Sequence, residues 1–545
     1  MARLADTAEA LTADLGPVAT EEPQVIFRRD AEESFDEAFP YGRRPKVSLF
    51  WRLGIPGNWD IARDDVWDVP RPERTSRGAE YGSASWVARL PSGRSHLETA
   101  SRTSQSGREL ARNEAIVTTL DDLDRAALAQ RWDGDRLVAY DPAALDRLAT
   151  APAASVAGKW RDALMQAGEA ALLRGVQSVV DKTTLPPSGN RQDYWHPAPY
   201  WWPNPATSDG LPYIRRDGER VPGSELYSPE SDRYDRTRLQ RLFDDATAAA
   251  LAWRVSGERR FAEHAVAMLR CWFLDPQTRM NPHMTYAQWR PEPNSRYAGG
   301  YGLIELKDLY FFLDAVRLMR DSGVLDRATE DRFRAWLGAY LEWIQSSPQG
   351  LAERAARNNH GTCFDLQVAA IAAYLGELGV LSVTLRSSKA RILTQFAADG
   401  SQREELTRNR SAHYTSFNLQ CWVNLARLAA TVGCDLWGDE RAGHPSLRGA
   451  LGWLLPLLAK PNWPYPQVAP FDRSRRIPLI AAGRDSLDMA IPAPADAGAL
   501  DPSTWSPIYH PHDGVKPFWL LDHLVGCASS ALAEDCEDVR LVRGW

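Results

Sequence analysis

Asn358-Asn359-His360-Gly361-Thr362 sets two amides beside an imidazole inside a stretch that otherwise reads as helix. Farther along, Arg408-Asn409-Arg410-Ser411-Ala412-His413-Tyr414 adds two guanidinium groups, a second imidazole and a phenol. Amides donate hydrogen bonds without titrating, and a guanidinium keeps its charge at any working pH while gripping a carboxylate through two bonds. An imidazole and a phenol can move protons. Together these groups meet the three needs of β-elimination at a 4-linked uronic acid: neutralise the C6 carboxylate, remove the C5 proton and protonate the O4 leaving group.

Each role has a candidate. Loss of the C5 proton piles negative charge onto the carboxylate, so donors aimed there lower the barrier as oxyanion donors do; Asn359, His360 and Arg408 are the candidates. Tyr414 is the candidate for proton transfer. An ordinary phenol titrates near 10, so this role leads us to expect nearby cations, Arg408 and Arg410, stabilising the phenolate. A tyrosine that takes the C5 proton and returns it to O4 works on one face, which suits syn elimination. Mannuronate and glucuronate share configuration at C4 and C5, and the same machinery serves both. Guluronate, inverted at C5, calls for a base on the opposite face, for which His360 and His413 are the candidates. Glu353, seven residues before His360, is expected on the same helix face and in position to orient the imidazole.

Other segments offer substrate contacts. Tyr194-Trp195-His196-Pro197-Ala198-Pro199-Tyr200-Trp201-Trp202-Pro203 is too proline-rich for a regular helix. Trp201 and Trp202 are read either as a stacking platform for sugar rings or as a plug of the fold. Tyr200 and His196 are weaker candidates for contact, and Arg215 and Arg216 for binding further carboxylates. In Asn281-Pro282-His283-Met284-Thr285-Tyr286-Ala287-Gln288-Trp289, Tyr286 and Gln288 are candidate readers of sugar hydroxyls. His510, His512 and Asp513 lie close in sequence, but alternating side chains in a proline-containing loop rarely converge on one ion, so no metal is expected. No cofactor is expected either, because neither a Gly-x-Gly-x-x-Gly nor a Walker loop is present.

Three motifs in order carry a resemblance to a known family: Pro199-Tyr200-Trp201-Trp202-Pro203-Asn204-Pro205 with Asp209 to Gly218, then Asn358 to Thr362, then Arg408 to Tyr414. Over roughly residues 155 to 440 the chain resembles the alginate lyase superfamily of polysaccharide lyases, and within it the mannuronan and glucuronan lyase branch. The resemblance implies an α/α toroid, a polysaccharide lyase acting on an acidic polysaccharide, His360 as a catalytic or carboxylate-contacting residue, Tyr414 as acid or acid/base, and Asn359 and Arg408 as neutralisers. The chain departs from that pattern in a long N-terminal extension and in Cys363-Phe364, where relatives tend to place an aromatic first. Two other readings stay open. An α/α-toroid glycoside hydrolase needs paired carboxylates, for which Asp232, Asp235 and Asp365 are candidates; a non-catalytic glycan-binding protein needs none of this chemistry.

The 545-residue chain carries a formal net charge of −7 and a pI near 5.9, which argues against nucleic acid as a partner. An acidic substrate then requires local positive charge, and the arginines of 215–220 and 233–241 with Arg408 and Arg410 are its candidate source. No stretch approaches the apolar length of a membrane span, and the first residues show no export signal, so the expectation is a cytoplasmic protein as the sequence stands, or a periplasmic or secreted one if its N-terminus is incomplete, as the exported habit of the resembled family suggests. The six scattered cysteines read as buried thiols.

Those residues need a scaffold. Residues 1–40 read as a mobile or appended tail and 41–140 as an extension of strands and loops, with Val47-Ser48-Leu49-Phe50-Trp51 as one strand. From Asp141-Pro142, an N-cap with proline in the first turn, the pattern turns helical. The apolar spacing predicts helices over 157–180, 236–256, 259–273, 302–322, 326–346, 350–376, 385–397, 414–432 and 446–459, some closed by Gly257 and Gly433. Helices in sequence with short loops favour a toroidal catalytic domain over 141–460. Proline-rich 461–545, with Ile477-Pro478-Leu479-Ile480-Ala481, reads as a β-containing lobe or loops packed on the toroid.

Overall fold

The computed structural model describes residues 125–291, 302–438, 443–460, 462–472 and 475–487, with four short strands near the N-terminus. Two compact units divide the chain, 1–107 and 108–545. In the first, β1 (Val25–Ile26), β2 (Val47–Trp51), β3 (Asp60–Asp65) and β4 (Val87–Ala88) form an antiparallel sheet in the order β3-β2-β1-β4. His510, His512, Asp513, Cys527 and Cys536 lie outside the described residues, as does most of 1–124.

The second unit is mainly helical. Its helices in chain order are α1 (Arg125–Arg131), α2 (Pro142–Ala149), α3 (Val156–Arg174), α4 (Arg236–Ser256), α5 (Arg259–Phe273), α6 (Leu309–Arg320), α7 (Arg327–Ser346), α8 (Pro348–Ala355), α9 (Asn359–Leu375), α10 (Leu378–Gln395), α11 (Arg403–Leu406), α12 (Ser411–Thr431), α13 (Leu447–Ala459) and α14 (Arg476–Leu487). Burial sorts them into two layers. On α4, α6, α9 and α12 most side chains are buried, whereas α5 and α7 bury one stripe and expose the other. The four buried helices pack in succession as an inner arc, and α3, α5, α7 and α10 back them from outside. This is an incomplete α/α toroid, the architecture expected.

Several boundaries follow from local chemistry. Asp141 caps α2 by accepting from the Ala143 N–H, with Pro142 in the first turn, and Gly257 closes α4 with φ +73°. The helix expected over 350–376 is two helices, α8 and α9, because Asn358 adopts an extended conformation and accepts the His360 N–H as a new N-cap. The one expected over 302–322 opens with a 3-10 turn, Leu303–Leu306, before α6. After residue 460, Ile477-Pro478-Leu479-Ile480-Ala481 belongs to α14 rather than to a strand, since proline is tolerated in a first helical turn. There Leu479 and Ile480 are buried, and α14 packs on α12 and α13.

Short strands hold the segments that carry Trp201, Trp202 and Gln288. β5 (Trp195–Pro197) pairs in parallel with β8 (Tyr286–Trp289), while β6 (Trp201–Trp202) pairs antiparallel with β7 (Ile214–Arg215). In the core, Cys363 of α9 and Cys421 of α12 are buried thiols with their Sγ atoms 3.1 Å apart. No helix among the described residues is long and apolar enough to cross a membrane.

Candidate active site

Neighbouring inner helices carry the two motifs at their N-terminal ends. Asn359 and His360 open α9, and Tyr414 lies in the first turn of α12, with Arg408 in the connection from α11. Gly361 permits this geometry: a Cβ there would strike the Ala356 carbonyl and the Arg391 guanidinium. Arg391 passes beneath to bind the carbonyls of Ala356 and Arg354 and the Asp365 carboxylate, which pins the α8–α9 junction. Gln395 Oε1 accepts from Thr362, Asn418 and Trp422, and its amide nitrogen binds the Asn358 carbonyl. The N-terminus of α9 is thereby tied to α12 through one side chain.

Six sequence candidates, Asn359, His360, Arg408, Tyr414, Tyr200 and Glu353, meet in one cluster. The Arg408 guanidinium lies 3.6 Å above the Tyr414 ring, and the Tyr414 hydroxyl donates to the Tyr200 hydroxyl at 2.9 Å. Asp217 holds Arg408 through Nε at 3.1 Å and Nη2 at 2.7 Å. His360 Nδ1 lies 2.9 Å from Glu353, which is fully buried on α8. Glu353 therefore meets His360 as expected, but across a helix break and not along one helix face. Asn359 donates both its backbone N–H and its side-chain Nδ2 to Glu405. Glu405 and Asp217 were not singled out in the sequence. Glu405 sits three residues before Arg408 in a charged run, and nothing in its spacing marks it as the partner of an asparagine in α9.

Electrostatics correct one expectation. Burial raises Tyr414 well above the ordinary phenol range, Tyr200 adds to the rise, and the pull of Arg408 and Arg220 does not reverse it. Tyr414 is therefore a phenol in the free protein. Burial lowers His360, but Glu353 and Glu405 outweigh it and the imidazole ends above its ordinary value. Burial likewise lifts Glu405 to about 7 against the opposing pull of Asn359, Arg408 and His360.

The remaining candidates spread around this cluster. His413 packs its ring edge-on to Tyr414 at 5.0 Å and parallel to Phe417 at 6.3 Å. Arg410 bridges through its backbone to Gln467, and its Nε is buried without a hydrogen-bond partner. Trp201 and Trp202 are half-buried, with the Arg290 guanidinium 3.7 Å from the first ring and that of Arg216 5.2 Å from the second. Arg215 is exposed, 3.4 Å from Asp217. Gln288, at φ +47°, donates to Glu305, which also binds His196 and Tyr194 in a buried network. Tyr286 packs edge-on to His283.

The hydrolase carboxylates are otherwise engaged. Asp235 is fully buried against Lys182 at 2.9 Å, Asp365 is bound to Arg391, and Asp232 is exposed beside Arg241. Among the described residues no cluster of His, Cys, Asp and Glu is arranged to hold a metal ion.

Comparison with known proteins identifies the family. The Alginate lyase family model matches residues 178–463, over half of the chain and inclusive of every residue of the cluster. An alginate lyase from Bacteroides ovatus shares 30% identity over 70% of this chain and 98% of its own, with a TM-score of 0.61. Alginate lyase A1-III from Sphingomonas species A1 shares 16% identity over 69% of this chain and 96% of its own, with a TM-score of 0.41. No curated protein sequence matches the chain. On the family match and the Bacteroides likeness together, the chain belongs to the alginate lyase family and is a polysaccharide lyase.

Proposed function

We propose that this lyase cleaves a β-1,4-linked polyuronate of the mannuronan or glucuronan type by syn β-elimination, with Tyr414 moving the proton. The observation that carries the reading is the joint placement of Tyr414 beneath Arg408 and against Tyr200, beside the His360–Glu353 pair. The substrate class draws on the alginate lyase from Bacteroides ovatus, whose name gives alginate as its substrate.

In this scheme Arg408, His360 and Asn359 receive the C6 carboxylate. Asp217 occupies Nε and Nη2 of Arg408, which leaves Nη1 outside that pairing for the substrate. Protonated His360, its charge favoured by Glu353, adds a second cation. Tyr414 reacts as the phenolate, a minor form whose charge Arg408 and Arg220 offset. The C5–H bond breaks and its proton passes to the Tyr414 oxygen. A C4–C5 double bond forms as the C4–O4 bond breaks with its electron pair on O4, and Tyr414 then returns the proton to O4. The products are a 4,5-unsaturated uronate and a new non-unsaturated chain end.

Absorbance of the 4,5-unsaturated uronate tests this on polymannuronate, polyguluronate, glucuronan and hyaluronan. We expect signal on polymannuronate or glucuronan and a loss of at least about a thousandfold in Tyr414→Phe. Signal that survives in Tyr414→Phe removes Tyr414 from the mechanism. Signal on polyguluronate alone overturns the syn assignment.

A further inference from the structure

The Asn359–Glu405 contact has a polarity that opposes the proposed substrate-binding role of Asn359. Glu405 Oε1 accepts the Asn359 backbone N–H at 2.5 Å, and its two oxygens lie 3.0 and 2.8 Å from Asn359 Nδ2. A carboxylate only accepts hydrogen bonds, so an ionised Glu405 fixes the amide nitrogen toward itself. That orientation turns Oδ1 away from Glu405, where it is buried and has no hydrogen-bond partner. A uronate carboxylate is also an acceptor. Oxygen facing oxygen repels, so the amide as it stands meets the anion with an opposing oxygen and at most the one N–H that Glu405 leaves over.

A proton on Glu405 removes the conflict. Oε1 continues to accept the backbone N–H, while Oε2 becomes a donor to the amide oxygen. The two edges of a carboxamide are nearly the same size, so the amide can turn over in place and bring Nδ2 to the opposite side. We propose that Glu405 is a positioning residue whose proton decides which edge of the Asn359 amide meets the uronate, so that binding of the substrate anion is coupled to proton uptake at Glu405. This rests on the uronate reading above and adds the device that lets Asn359 serve it.

The surroundings suit the exchange. His360 faces Glu405 from α9 and Arg408 faces it from its own connection, with Glu353 behind the first and Asp217 behind the second. Glu405 is itself buried, and at about 7 it can hold or release a proton near neutral pH. An incoming carboxylate tips that balance toward the protonated form, since two buried anions in one site repel.

The test is calorimetric titration of the Tyr414→Phe protein with an oligomannuronate or oligoglucuronate, above neutral pH, in buffers of differing ionisation enthalpy. We expect uptake approaching one proton per site and an affinity that falls about tenfold per pH unit above the Glu405 titration. In Tyr414→Phe/Glu405→Gln the introduced side-chain amide donates permanently to Asn359 Oδ1, so the uptake disappears and the affinity stays within about threefold over the same window. Uptake that persists in this double variant places the proton on His360 and overturns the proposal; binding without uptake in the parent does the same. No binding to any uronate overturns the substrate reading, and this inference with it. Should the glutamine variant fail to fold, Tyr414→Phe/His360→Gln decides: uptake retained leaves the proton on Glu405 and supports the proposal, and uptake lost places it on His360 and overturns it.

Discussion

Tyr414 and His360 are both shifted upward, for opposite reasons. The phenol is held in its neutral form chiefly by burial and by Tyr200, whereas Glu353 favours the charged imidazole against burial, which works the other way. Removing the Glu353 charge therefore lowers the His360 titration, so Glu353→Gln should lose the imidazolium at lower pH than the wild type. An NMR titration of the imidazole reads this directly. We expect kcat/KM to fall by about ten- to hundredfold, because a charge-assisted hydrogen bond and the cation proposed to face the substrate are lost together. An unchanged titration would mean that Glu353 only packs. At this scale the residue types were legible in the sequence: Asn359, His360, Arg408 and Tyr414 do meet, and with Tyr200 they form one connected cluster.

Elements decide how those residues meet. The sequence suggested that Glu353 and His360 share a helix face, but the chain breaks between them and α8 is followed by a new helix capped by Asn358. Gly361 makes the break possible by leaving room for Arg391 beneath it. Gly361→Ala should therefore cost on the order of 1–3 kcal/mol, the usual range for overpacking, measured by urea unfolding. Stability equal to wild type would show that the junction can relax around a methyl group. The Gln395 hub gives a second expectation: Gln395→Leu strands Thr362, Asn418 and Trp422 without their shared acceptor, at about 1–3 kcal/mol. Since that hub joins α9 to α12, kcat should fall with stability, whereas a loss of stability alone would show that the site tolerates looser helices.

For the molecule as a whole, a net charge of −7 opposes the acidic polymer proposed as substrate, so attraction must be local. Arg290 and Arg216 on the faces of Trp201 and Trp202, with exposed Arg215 and with Arg220 by Tyr200, concentrate cations near the cluster. Stability carries its own pH signature. Burial raises Asp193, but His283, Ser188 and Asn281 together bring it down to about 2. A carboxyl lowered on folding contributes stability above its unfolded value near 4, and the contribution is lost as pH falls toward the folded value. Asp193→Asn should thus cost roughly 2 kcal/mol at neutral pH by urea unfolding, with the difference shrinking as pH falls below about 4. A difference independent of pH would trace the cost to hydrogen bonds alone.

Sequence alone determined the helical class, the inner helices α4 and α12 to within a few residues, and the chemical character of the site, because apolar periodicity and residue type are properties of short stretches. Helices 236–256 and 259–273 emerge with the boundaries their spacing predicts. Tertiary structure decided the partnerships. Asp217 with Arg408, Glu405 with Asn359 and Tyr200 with Tyr414 each join residues far apart in the chain, and no local pattern encodes them. It also decided the protonation states. The sequence placed cations beside Tyr414 and pointed to a lowered phenol, but burial, which only the closed fold creates, outweighs them. The same burial set Asp235 and Asp365 against Lys182 and Arg391, turning plausible catalytic acids into structural ion pairs.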